Sequence, residues 1–291
     1  MKPLLLGALL LLSPPLPAEV TGHDWMKAVP DDTRLSALSI PGTHDSGATV
    51  EPVPGTAKCQ DLSIADQLNA GVRFLDIRCR HLRDAFVIHH GAIYQNLNFE
   101  GVLESVQGFL KDHPSECVIL SIKEEFTPSG NSRTFEQTFD AYVAKNPAPW
   151  FLQATLPTVG QTRGKMILLR RFSATTQPKG IAATGWTDNA TFNTGLLRIQ
   201  DRYQCPDADA KWPHVESLLR ESTSGNPDTL YLNFSSATGS RLGLPNIPAV
   251  SDGVNRKLTD YFKAHPRGHR GVIVMDFATA ERCALIYRAG P

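Results

Sequence analysis

This sequence predicts an α/β domain whose strands curl into an irregular or incompletely closed barrel, on three observations. Strand-like and helix-like segments alternate along the chain with no Pro-rich linker or composition break between them. The strand candidates are apolar early and charged late, so their ends would converge on one mouth if the sheet closed. One connection, residues 80–85, is too short for a crossover helix and so breaks a regular eightfold unit. Together these specify an imperfect (β/α)8 barrel of the TIM type.

In chain order, aliphatic runs at 35–40, 74–79, 86–90, 117–123, 166–172, 197–201, 230–234 and 271–277 read as strands. Helical spacing appears at 98–112, where Val102, Leu103, Val106, Phe109 and Leu110 share a face, and at 134–145, 215–221, 254–264 and 282–288. Residues 127–131, 178–189 and 235–252 read as surface loops. Ahead of all this, Lys2, the apolar run from Leu4 to Leu12 and a Pro-Pro-Leu-Pro-Ala stretch read as a secretory signal over 1–18, with cleavage expected after Ala18. The run is shorter than the about 20 residues a membrane span needs. Residues 19–291 are therefore expected to be one exported domain.

Lys plus Arg balances Asp plus Glu at 29 each, so no global field gathers nucleic acid or an anionic membrane. Any phosphate preference must be local. The five cysteines, Cys59, Cys79, Cys117, Cys205 and Cys283, are too widely spaced for a Cys-x-x-Cys metal signature. An exported chain allows them up to two disulfides, and burial as small hydrophobes fits them equally well.

The chemistry concentrates in two histidines set in small-residue turns. His44 lies in Ile40-Pro-Gly-Thr-His-Asp-Ser-Gly47 and His90 in Ile88-His-His-Gly91, and they flank Phe74-Leu-Asp-Ile-Arg-Cys79. One imidazole takes a proton, another gives one, and Arg78 between them holds a phosphate oxyanion. Alternation within the strand puts Asp76, Arg78 and Arg80 on one side. It also turns His89 away from His90, into a packing role. Lys123 with Glu125, Asp201 with Tyr203, and Val274 with Asp276 likewise share faces. Lys123, Arg171 or Asp201 alone could be an ordinary rim ion pair, and Arg78 could simply pair with Asp76.

Eight ordered blocks turn these fragments into a resemblance. Ser39-Ile-Pro-Gly-Thr-His-Asp-Ser-Gly47, Phe74-Leu-Asp-Ile-Arg78, Ile88-His-His-Gly-Ala-Ile-Tyr94, Phe109-Leu-Lys-Asp-His-Pro-Ser-Glu116 and Leu168-Leu-Arg-Arg-Phe172 are followed by Ile199-Gln-Asp-Arg-Tyr203, Tyr231-Leu-Asn-Phe-Ser235 and Val274-Met-Asp-Phe277. The chain resembles the bacterial phosphatidylinositol-specific phospholipase C family over nearly all of 19–291. The resemblance implies a distorted (β/α) barrel with its site at the mouth. It implies His44 as general base, oriented by Asp276, and His90 as general acid with Asp45 as its carboxylate partner. Arg78 is implied as the phosphate-binding arginine, which makes a metal ion unnecessary; no cofactor is expected. Lys123, Arg171, Asp201 and Tyr203 match headgroup-binding positions. The implied reaction is attack of the inositol 2-hydroxyl on phosphorus, giving diacylglycerol and inositol 1,2-cyclic phosphate.

One departure concerns the membrane. Rim segments that carry tryptophan in bacterial relatives correspond here to about 53–62 and 237–250, which contain none; Leu242, Leu244 and Ile247 are the available substitutes. A monomer touching the membrane surface weakly is expected. Two other classes compete: a metal-dependent glycerophosphodiester phosphodiesterase, which needs carboxylates where Arg78 stands, and a catalytically weak inositide-binding module, which would lack one of the histidines.

Overall fold

The computed structural model describes residues 21–239 and 244–290. The expected signal segment and Leu242 lie outside them. Two 3-10 turns, Trp25–Ala28 and Leu35–Ala37, lead into β1 (Ser39–Thr43), α1 (Ile64–Asn69), β2 (Phe74–Leu82), β3 (Ala85–His90), β4 (Ile93–Asn98) and α2 (Phe99–Asp112). Then come β5 (Val118–Glu124), α3 (Phe135–Lys145), β6 (Trp150–Phe151), α4 (Val159–Thr162), β7 (Met166–Arg170), β8 (Ile181–Ala182) and β9 (Thr191–Thr194). The chain ends with β10 (Leu197–Gln200), α5 (Ala208–Thr223), β11 (Leu230–Phe234), α6 (Ile247–Ala264), β12 (Gly271–Met275) and α7 (Ala280–Arg288).

The strands form one curled sheet in the order β6-β7-β5-β2-β1-β12-β11-β10-β9. First and last parallel strands meet, β1 beside β12 in parallel register, as in a barrel. The ring stays open on the far side. Between β7 and β10 the chain makes only the two-residue β8 and the antiparallel β9, with no helix among the described residues. Without a crossover helix the only further parallel pairing there is the two residues of β8 against β7, too short to complete the wall. This is the irregular, incompletely closed barrel expected.

The 80–85 connection is a two-residue hairpin, with Leu82 facing Ala85 and both Arg83 (φ 51) and Asp84 (φ 59) left-handed. β1, β5, β7, β11 and β12 have core residues on both faces; Ile40, Leu120, Leu168, Leu232 and Val274 have no exposed surface. One face fills the barrel and the other meets the helices, which is why these strands read as near-continuous apolar runs.

Several boundaries differ from expectation. The first strand runs over Ser39–Thr43 rather than 35–40, so Pro41 and Gly42 are strand, not turn. Pro41 is tolerated because its carbonyl, and so the side its N–H would occupy, faces Arg73 N, one residue before the β1–β2 ladder begins at Gly42 and Phe74. α5 starts at Ala208, capped by Asp207, and carries Pro213 inside it, the residue that made 215 look like the start. α6 starts at Ile247 with Pro248 in its first turn. The loops expected at 178–189 and 235–252 are partly interior, since Lys179, Ile181, Ala183 and Ser235 to Ala237 are buried. All five cysteines are buried and free.

Candidate active site

Strand ends at one mouth of the barrel bring most of the expected residues to a single cavity of about 580 Å³. His44, Arg78, His90, Lys123, Arg171, Asp201 and Tyr203 all line it. Asp45 and Asp276 stand behind this wall, each almost fully buried. A larger, more open groove of about 910 Å³ between α1, α6 and α7 contains neither histidine. The smaller cavity is the site because convergent titratable groups, not volume, identify chemistry.

His44 follows β1 directly, and its Nδ1 lies 2.8 Å from Asp276 Oδ1, at the end of β12. On the other side of the ring, Arg78 Nη2 donates to Nε2 at 2.8 Å. A guanidinium has only donors, so neutral His44 carries its proton on Nδ1 and keeps its Nε2 lone pair toward the cavity. Burial alone would push this imidazole down, but the Asp276 carboxylate overrides burial and Arg78, and the net shift is upward. We therefore expect Asp276→Asn to lower the His44 pKa, read as a shift of its imidazole NMR titration to lower pH; an unchanged or raised midpoint would contradict the geometry.

Gln60 locks this pair in place. Its Nε2 donates to the backbone carbonyls of His44 (2.9 Å) and Met275 (2.8 Å), and its Oε1 accepts from Ala278 N. The turns that aim the two side chains are strained: Asp45 (φ 38) and Phe277 (φ 48) are left-handed, the second unusual for a bulky residue.

His90, at the end of β3, is oriented differently from expectation. Its Nδ1 donates to the Ala57 carbonyl at 2.6 Å, whereas Asp45 Oδ2 is 3.8 Å away, beyond a hydrogen bond. Asp45 is thus a neighbouring charge, with a backbone carbonyl setting the tautomer. Burial raises the Asp45 carboxyl, against the pull of Arg78 and His90. A ring nitrogen of each histidine lies within 4.8 Å of the Cys59 sulfur, so the two imidazoles flank one small volume. His89 is buried on the other face, stacked on Phe126, as the alternation requires.

Asp76, which the sequence offered only as a partner for Arg78, is the hub of the floor. Its Oδ2 accepts from Arg78 Nε (3.2 Å) and Asp45 N, and its Oδ1 from Arg171 Nη1 (3.2 Å). Burial would raise this carboxyl, yet Arg78 and Arg171 hold it well below the usual carboxylate range. Despite equal burial, Asp76 and Asp45 raise the Arg78 pKa further, so its charge is permanent. Arg78 is aimed into the site, as expected.

Of the headgroup candidates' partners, the two-residue spacing announced Glu125 beside Lys123 but not those of Asp201 and Tyr203. Lys123 pairs with Glu125 at 2.8 Å, Asp201 accepts from Trp186 Nε1 at 2.9 Å, and Tyr203 donates to Asp188 at 2.9 Å. The Arg171 guanidinium sits 3.6 Å over the Trp186 ring. Trp186 and Asp188 fall in the stretch read as a surface loop, where an isolated aromatic carries no period to mark it. Ile247, expected as a rim hydrophobe, is buried at the cavity wall, while Leu244 and Val53 are exposed.

The comparisons with known proteins converge on one family. A family model, Phosphatidylinositol-specific phospholipase C, X domain, matches residues 35–172. The chain is 31% identical to the 1-phosphatidylinositol phosphodiesterase of Staphylococcus aureus strain Newman, covering 88% of both chains. It is 30% identical to the enzyme of that name from Listeria monocytogenes, covering 90% of this chain and 83% of that one. A solved phosphatidylinositol-specific phospholipase C from S. aureus superposes with a TM-score of 0.85 at 28% identity, over 93% of this chain and 98% of the other. The L. monocytogenes structure gives 0.79 at 26%, over 94% and 100%. With both histidines and Arg78 gathered at the mouth of a barrel these proteins share, the chain belongs to the bacterial phosphatidylinositol-specific phospholipase C family.

Proposed function

We propose that this chain cleaves phosphatidylinositol by intramolecular transfer, with its own side chains supplying base, acid and counter-charge. The observation that carries this reading is the Arg78–His44–Asp276 line, in which a permanent cation holds the lone pair of a carboxylate-oriented imidazole. On substrate binding the guanidinium turns to a non-bridging phosphate oxygen, and the inositol 2-hydroxyl takes its place at His44 Nε2. The hydroxyl oxygen then bonds to phosphorus as its proton passes to Nε2. The bond from phosphorus to the diacylglycerol oxygen breaks, and that oxygen takes a proton from His90 Nε2. Arg78 offsets the negative charge that builds on the phosphoryl oxygens. Lys123, Arg171, Asp201 and Tyr203 bind the ring hydroxyls, in a cavity within the about 300–1,000 Å³ range of small-molecule sites.

A guanidinium bonded to the base is poorly compatible with a catalytic calcium or magnesium at the same place, which disfavours the glycerophosphodiester alternative. Incubation with phosphatidylinositol vesicles in excess chelator, followed by phosphorus NMR, should give inositol 1,2-cyclic phosphate at an undiminished rate. A requirement for added calcium, or a linear phosphate as first product, would overturn the assignment.

Export is the reading the Lys2–Ala18 stretch supports, and no helix among the described residues is long and apolar enough to cross a membrane. Exposed Val53 and Leu244, near cavity-lining Thr56 and Pro245, support a weak, tryptophan-free contact with the lipid surface.

A further inference from the structure

We propose that Cys59, His90 and Asp45 form a binding site for a zinc-class divalent cation beneath the catalytic cavity, where the ion acts as an inhibitor. Cys59 is fully buried, with its sulfur 3.9 Å from His90 Nδ1. Asp45 Oδ2 is 3.8 Å from the same nitrogen, and all three ligand atoms lie within 4.8 Å of one another. Bond lengths of about 2.0–2.3 Å at a tetrahedral zinc put neighbouring ligand atoms roughly 3.3–3.6 Å apart. The two distances from His90 Nδ1 must therefore shorten by about 0.5 Å or less, and the Cys59–Asp45 distance by up to about 1.5 Å. The fourth position is left to water, or to an oxygen of whatever occupies the cavity.

A second observation points to a cation independently. Both Asp45 carboxylate oxygens are buried without any hydrogen-bond partner among the described residues. Buried acceptors are nearly always satisfied, and an ion satisfies these. The local charge agrees. Burial, Asp276 and Asp45 hold the metal-free Cys59 as a thiol, and a dication offsets the negative charge that its ionisation adds beside Asp45.

The sulfur selects a borderline or soft metal over calcium or magnesium. His44, Cys59 and Asp276 make a competing set around the same sulfur, but an ion there would have to break the charge-assisted His44 Nδ1–Asp276 Oδ1 bond of 2.8 Å, whereas the His90 set gives up only a bond to a backbone carbonyl. Binding releases the Cys59 thiol proton and the His90 Nδ1 proton to solvent, and the Ala57 hydrogen bond gives way. The ion then pins His90 and draws Asp45 from Arg78. The binding stands on the ligand geometry and the unpartnered Asp45 carboxylate, whereas the inhibition rests on the acid role of His90 proposed above.

Cadmium is the probe, because a thiolate ligand gives it an ultraviolet charge-transfer band. Titrating the full chain with Cd²⁺ should produce that band at one equivalent, with phosphatidylinositol cleavage falling about tenfold or more in parallel and recovering with chelator. Cys59→Ala, and Cys59→Ser as a more space-conserving variant, should cleave normally without metal, lose the band and resist inhibition. A band that persists in both variants overturns the site. So does tight cadmium binding, measured by calorimetry, in Asp45→Asn when Asp276→Asn abolishes it. A band at one equivalent with unimpaired cleavage overturns the inhibitory role and the acid role of His90, while leaving the ligand set standing.

Discussion

His44→Ala is expected to lower kcat on phosphatidylinositol by about 10²–10⁴-fold, at the upper end of what one general base contributes, with KM little changed. The upper end applies because His44 has no understudy in reach. Its Nε2 lone pair is the acceptor opposite Arg78, and Asp276 already bonds to its other nitrogen. The carboxylate of Asp45 is turned to His90 and Arg78 instead. KM should hold because Lys123, Arg171, Asp201 and Tyr203 reach the cavity from other strand ends and survive the substitution. The measurement is initial rate on phosphatidylinositol vesicles at saturating substrate, with circular dichroism confirming the fold. Activity within tenfold of the parent would remove His44 from the reaction.

The largest stability effect is expected far from the cavity, at Glu116. Arg73 and Glu116 have fully buried side chains, and Arg73 Nε and Nη2 donate to Glu116 Oε2 at 3.0 and 2.8 Å. The remaining donors go to backbone: Nη1 to Leu68 and Val72, Nη2 to Gly22 and His23. Glu116 also accepts from Met26 N. One ion pair thus ties residues 22–26 to the end of α1 and the start of β5. Glu116→Ala leaves a guanidinium buried without its counter-charge, which typically costs about 3–5 kcal/mol, against a total stability of about 5–15 kcal/mol. Urea unfolding should show a midpoint lowered accordingly with little change in slope, and Glu116→Gln should lose less because it can still accept. A loss below about 1 kcal/mol for alanine would mean that water reaches Arg73 and that the pair is not the staple its contacts describe.

Much of this site was legible because its residues sit at strand ends, where a two-residue period sorts side chains to faces. His90 toward the cavity and His89 away from it follow from that period, as does Arg78 lying on the Asp76 side. What escaped was whatever arrives from a connection with no period of its own. Trp186 under Arg171 and Gln60 clamping His44 to β12 are such cases. The orientation of His90 escaped for the same reason. The Ala57 carbonyl that bonds it belongs to a segment between β1 and α1 whose path only packing defines.

The amino-acid order by itself determined the barrel class and its irregularity, and through the resemblance it carries named the two imidazoles and the guanidinium, since alternation and motif order are local properties of the chain; the opening itself lies between β7 and β10, away from the short 80–85 connection. Only the tertiary structure shows how each carboxylate reaches its group, and that a backbone carbonyl rather than Asp45 holds His90 Nδ1. Asp276, 232 positions from His44, reaches it because β1 and β12 pair in parallel register. Asp45, next to His44 in the chain, turns instead toward His90 and Arg78. Partner choice among buried charges depends on distances of a few ångströms, and those are set by how strands far apart in sequence come to lie side by side.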